Sequence, residues 1–99
     1  MHERALMDDL MRKIVSVAHE NGGVHASGVR VVRITVRLGA LSHFTAEHFR
    51  EHFVDASRGT LAEGAQVEAV LEDDVHAPNA DGVVLESVEV EPFEPVEAW

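Results

Sequence analysis

A histidine at position 2 of a chain that opens Met1-His2-Glu3 can do chemistry that a histidine elsewhere cannot. The α-amine of Met1, the deprotonated amide of residue 2 and the imidazole of His2 can close adjacent five- and six-membered chelate rings around one ion. Glu3 can supply the fourth donor through its carboxylate or its backbone nitrogen. Nitrogen donors of this kind favour square-planar nickel or copper over tetrahedral zinc. The initiator methionine is expected to remain, because histidine is a large second residue. On spacing alone, a histidine placed by chance at a solvated terminus is the simpler reading.

The remaining histidines carry less. His48 and His52 stand one helical turn apart, with Glu47 and Glu51 alongside, and could jointly hold a metal. Beside the apolar positions Phe49 and Phe53 they read first as the partly exposed flank of a helix. His43 belongs to a loop, and His19, His25 and His76 read as solvated. Met7 and Met11 could be soft copper ligands, but their place on an apolar helical stripe makes them core residues.

Composition narrows the chemistry further. The 99 residues include no cysteine, which excludes disulfides, iron–sulfur clusters and thiolate zinc sites within this sequence. Any metal must rest on imidazole, carboxylate, backbone nitrogen or terminal amine. There is no cysteine nucleophile, no Gly-x-Ser-x-Gly elbow and no phosphate-cradling glycine loop. Asp8-Asp9 and Asp73-Asp74 fall on a helix surface and in a loop, without a desolvating pocket to separate their pKa values. No catalytic activity is assigned. Eight Lys and Arg against eighteen Asp and Glu give a formal charge of −10, which repels nucleic acid and anionic membranes and favours cations or basic protein surfaces. Residues 62–99 contain no Lys or Arg at all. No apolar run is long enough for a membrane span and no secretory pattern opens the chain, so a cytoplasmic protein is expected.

The elements that must position these residues follow from periodicity. Leu6, Leu10, Ile14 and Val17 recur at helical spacing, widened by Met7, Met11 and Ala18, and predict a helix from about Glu3 to Glu20 that stops at Asn21-Gly22-Gly23. From Val31 to Leu38 the period becomes two, with Val32, Ile34, Val36 and Leu38 on one face and Arg33, Thr35 and Arg37 on the other. Thr45 is a suitable N-cap for a second helix to about Ser57, and Phe44 can pack on Phe49 as a hydrophobic staple. Gly59 ends that helix and residues 59–65 turn. Val67, Ala69 and Leu71 define a second strand. Val84, Val88 and Val90 belong to a third near Val83 to Glu91, whose phase is unclear around Glu86. Asp73 to Gly82 reads as a loop with no core residue beyond Val75. The expected fold is α+β, in the order α-β-α-β-β, with both helices on one face of a three-stranded sheet. Residues 1–91 form the domain, and 92–99 form an acidic, loosely held tail in which Phe93 and Trp99 could anchor a partner.

Three segments give these elements a family context. Met1-His2-Glu3 with Ala5-Leu6, then Arg37-Leu38-Gly39-Ala40-Leu41-Ser42-His43, then Arg58-Gly59-Thr60-Leu61-Ala62-Glu63-Gly64-Ala65 resemble, in order, the motifs of the HypA family of hydrogenase-maturation metallochaperones. The likeness covers roughly residues 1–72 and 83–91. It implies nickel(II) bound at the Met-His-Glu terminus, with His2 the essential side-chain ligand and Glu3 a supporting one. It also implies delivery towards the large subunit of nickel–iron hydrogenase with a HypB-type GTPase, and in some members towards urease. The family's zinc ribbon, two Cys-x-x-Cys pairs inserted between the second and third strands, has no counterpart here. Only Asp73 to Gly82 occupies that place, so zinc is not carried over and partner choice can differ. A metal-free interaction module that docks on a maturation partner is the alternative reading.

Overall fold

The computed structural model describes residues 2–22 and 29–92, with side chains described for 4–20 and 29–92. Helix α1 (His2–Gly22) is followed by β1 (Val29–Leu38), α2 (Ala46–Ser57), β2 (Gln66–Leu71) and β3 (Val83–Pro92). The expected order α-β-α-β-β is the one observed.

Sheet order is β2-β1-β3, with β1 parallel to β2 and antiparallel to β3. A parallel neighbour cannot be reached by a tight turn, and α2 supplies the crossover between β1 and β2. Both helices lie on one face, where Met7, Leu10, Met11, Ile14 and Ala18 of α1 meet Phe49 and Phe53 of α2 over Val31, Ile34, Val36 and Leu38 of β1. The opposite face is a charged lattice. Arg33 reaches Glu68 on one side and Glu89 on the other, at 3.6 Å each, and Arg37 meets Glu86 at 2.7 Å. These pairs stay largely in water, so each contributes little stability, but they keep a one-sided sheet solvated.

The strand phases depart from simple alternation at two bulges. Opposite β3, Val31 pairs with Val90 and Arg33 with Glu89, which leaves Val32 unpaired and puts Val31 in the core at 1% exposure. The expectation that Val32 faces the core is thereby corrected: the extra residue reverses the alternation on its N-terminal side. A second shift lies between the Thr35–Ser87 and Val36–Leu85 pairs, where Glu86 is the additional residue. Leu85 and Val83 therefore join Val88 and Val90 against the core, and Val84, opposite Arg37, takes the charged face.

Three smaller expectations also change. Leu71, placed on the inner side of β2, is 58% exposed because it ends an edge strand, and α2 does not cover it. In the β2–β3 connection Val75 faces solvent at 48%, and Ala80 is the buried residue at 8%. Pro92 is the last residue of β3, opposite Val29, a position that an edge strand tolerates. Residues 93–99, including Phe93 and Trp99, lie outside the described residues.

The connection packs against the end of β1 through backbone. Gly39 N–H donates to Gly82 O at 2.9 Å, Leu41 N–H to Ala80 O at 2.7 Å, and Glu72 N–H to Leu38 O at 2.9 Å. A Cβ on Gly39 would collide with the Ala80 carbonyl and stand 2.7 Å from Asn79 O. Gly39→Ala should therefore displace residues 79–82 and destabilise the fold by about 1 to 3 kcal/mol, the usual range for overpacking. Urea unfolding checks this, and a loss within about 0.3 kcal/mol would show that the loop is not docked there.

Candidate metal centre

Of the expected ligand set, Met1 lies outside the described residues. His2 and Glu3 open α1 with their backbone, and their side chains lie outside what is described. Among the described side chains of α1, the first core-facing one is Leu6, and the buried stripe begins at Met7. An α-helix leaves its first N–H groups without intrahelical acceptors, so the amides of this first turn are available for other chemistry.

The two internal motifs build connections. Leu38-Gly39 closes β1 against the β2–β3 loop, as described above, and His43 adopts φ 66° in the turn that leads to α2. In the second motif Gly59 and Gly64 take φ 80° and 82°, values that favour glycine. The Glu63 carboxylate accepts from Gly59 N–H at 3.2 Å, and Thr60 Oγ1 donates to Ser57 O at 2.6 Å and accepts from Ala62 N–H at 3.1 Å. Leu61 O accepts from Val31 N–H at 2.9 Å, next to the β1 bulge. Every polar side chain of Thr60-Leu61-Ala62-Glu63 is thus engaged in holding the α2–β2 turn.

Helix α2 positions the second histidine group. Thr45 caps it by accepting from His48 N–H at 3.0 Å, and Phe44 packs edge-on against Phe49 at 5.8 Å, the cap and staple expected from sequence. The Phe44 ring also meets His48 at 5.6 Å and His52 at 6.2 Å. His48 and His52 approach to 2.9 Å between their Nε2 atoms. The contact of Phe44 with both imidazoles was not part of the sequence reading. The i, i+4 spacing of His48 and His52, with Phe44 one residue ahead of the Thr45 cap on the same side, is the signal that could have revealed it. Arg50 points elsewhere, donating from Nε to Val67 O at 3.2 Å.

Among the described residues no group of three or more His, Asp, Glu or Cys side chains converges, and no helix is long and apolar enough to cross a membrane. A closed internal metal cage is therefore not built by the described residues. The described residues do bring together one imidazole pair, His48 and His52.

Comparison with known proteins places this arrangement. A family model described as hydrogenase/urease nickel incorporation metallochaperone, HypA, matches residues 1–77. Among curated proteins, the hydrogenase maturation factor HypA of Thermococcus kodakarensis is 35% identical over 75 residues, 76% of this chain and 50% of the relative. The same-named factor of Chlorobaculum tepidum is 36% identical over 67 residues, 68% of this chain and 55% of the relative. That of Methylocella silvestris is 38% identical over 68 residues, 69% and 56% respectively. The chain spans about half the length of these relatives. With the matched region running from the Met-His-Glu terminus through both turn motifs and all of α1, β1, α2 and β2, the chain belongs to the HypA family.

Proposed function

We propose that this chain is a nickel metallochaperone that holds nickel(II) through Met1, His2 and Glu3 and delivers it in hydrogenase maturation. The observation that carries the reading is the family match over residues 1–77, whose description names nickel incorporation. The division of labour among the motifs supports it. The Gly39 and Gly59–Ala65 segments have a local structural role, which leaves the Met1-His2-Glu3 motif as the one whose residue types suit metal chemistry. The free N–H groups of a first helical turn suit a chelate that uses amide nitrogen.

The large subunit of nickel–iron hydrogenase, with a HypB-type GTPase, is the proposed recipient system, and urease maturation a further destination. A formal charge of −10 favours basic surfaces on such partners. Nickel is cargo here, so a site at a chain end, open to an incoming ligand, serves transfer better than an enclosed one. Titration of the untagged protein with nickel tests the proposal: one tightly held ion per chain is expected, and a protein that binds none would leave a metal-free docking module.

We also propose that this domain works without the family's zinc module. Residues 72–82 join β2 to β3 directly, and the sequence holds no cysteine. Structural zinc contributes folding energy outright, so a zinc-dependent fold melts when chelated. The expected result is the same thermal midpoint with and without a strong chelator, and no stoichiometric zinc on elemental analysis. One tightly held zinc per chain would defeat the proposal.

A further inference from the structure

We propose that His48 and His52 form a second, independent metal site on α2, taking a divalent ion of planar or octahedral preference such as nickel(II) or copper(II) through two imidazole nitrogens. The ring centroids are 4.6 Å apart while the Nε2 atoms are 2.9 Å apart, so the two rings lean together at their ligating tips. Metal–imidazole bonds run to about 2.0–2.1 Å, so two nitrogens at a right angle around one ion stand about 2.9 Å apart, whereas a tetrahedral edge is about 3.4 Å. The observed separation matches the right-angled edge, which planar nickel or copper uses and tetrahedral zinc does not.

The same 2.9 Å also admits a hydrogen bond in which one ring's Nε2–H donates to the other's Nε2. The two states interconvert simply. When the shared proton moves to Nδ1 of its own ring, both Nε2 lone pairs become available to one cation and neither imidazole changes charge. Little rearrangement of α2 is required, because the backbone already sets the spacing and Phe44 packs against both rings. That packing limits the rotamer freedom that two loose histidines would lose on binding. Glu47 and Glu51 on the same helix, within a strongly acidic chain, favour the arrival of a cation. Two imidazoles are a smaller donor set than the terminal chelate, so the ion is held more weakly there and exchanges readily.

The site does not depend on the N-terminal reading, and the test keeps the two apart. The probe is nickel(II) alone, titrated calorimetrically into untagged His2→Ala protein, which lacks the terminal imidazole. One weak site should remain. Adding His48→Gln or His52→Gln should weaken it about tenfold or more, and either single change should do as much as both together, because one imidazole cannot chelate. His76→Gln in the β2–β3 loop should leave it unchanged. Nickel should also raise the melting midpoint of the His2→Ala protein, and not that of the His2→Ala/His48→Gln protein, since an ion bound only to the folded helix stabilises it. A His2→Ala protein that binds no nickel overturns the proposal. So does an affinity indifferent to His48→Gln and His52→Gln, or small additive losses that His76→Gln shares, which mark unconnected surface imidazoles. If His2→Ala binds as the unaltered protein does, the N-terminal reading fails, and the pair is judged on the His48 and His52 variants alone.

Discussion

Phe53→Ala should lower the unfolding free energy by about 3 to 5 kcal/mol, the range for truncating a buried phenylalanine. Phe53 is 1% exposed and stacks beside Phe49, with ring centroids at 6.4 Å, where α2 meets both α1 and β1. Removing the ring takes away apolar burial and leaves a cavity that two helices and a sheet, each fixed by other contacts, cannot fully close. The next residue provides the contrast. Val54 is 56% exposed on the opposite side of α2, so Val54→Ala should stay within about 0.5 kcal/mol. Urea unfolding of the two variants reads both numbers. A loss below about 1 kcal/mol for Phe53→Ala would mean that α2 presents a different face to the sheet.

That burial of Phe49 and Phe53 was legible in the sequence because an amphipathic helix repeats its signal over three turns, with Thr45 and Phe44 marking its start. The β1 alternation was equally plain from Ile34 to Leu38, where Thr35 and Arg37 intervene. What alternation cannot encode is an inserted residue. Val31 and Val32 are both suited to the core, and only the pairing with Val90 and Glu89 decides between them. At Glu86 the conflict left a trace, since the phase shared by Val84, Val88 and Val90 would also turn Glu86 inward, and the bulge resolves it by giving Val84 to the outer face. Leu71 and Ala80 show a further limit. Whether a residue at the end of a strand or in a loop is covered depends on what lies across from it, here the reach of α2 and the backbone of Gly39.

Site chemistry divides in the same way. The spacing of His48 and His52 was readable as a shared helix face, but the lean of the two rings towards each other is set by rotamers and by Phe44, which spacing does not fix. The functional reading of His2 draws nothing from core packing, since its side chain lies outside what is described. It rests on donor chemistry and on kinship. Those two grounds are independent of each other, and a single experiment can set them against the imidazole pair on α2.

His2→Ala is expected to abolish tight nickel binding, and so is a two-residue extension ahead of Met1, whereas a tag at the other end should do no harm. The extension leaves every side chain in place and removes only the position of the free amine, so its effect separates a terminal chelate from ordinary histidine coordination. Electrostatics makes the amidate important. The N-terminal end of α1 carries the positive pole of the helix, which opposes a cation, and a deprotonated amide supplies compensating negative charge at that point. Imidazole must be neutral and the amide deprotonated to bind, so affinity should fall as pH drops through about 6.5, the unperturbed histidine range. The bound ion should show the weak visible absorption of planar nitrogen-coordinated nickel. At substoichiometric nickel, where the weaker α2 pair stays empty, His48→Gln with His52→Gln should leave both spectrum and affinity intact. A His2→Ala or extended protein that held nickel with unchanged affinity would move the tight site away from the terminus and make the α2 pair the leading place to look.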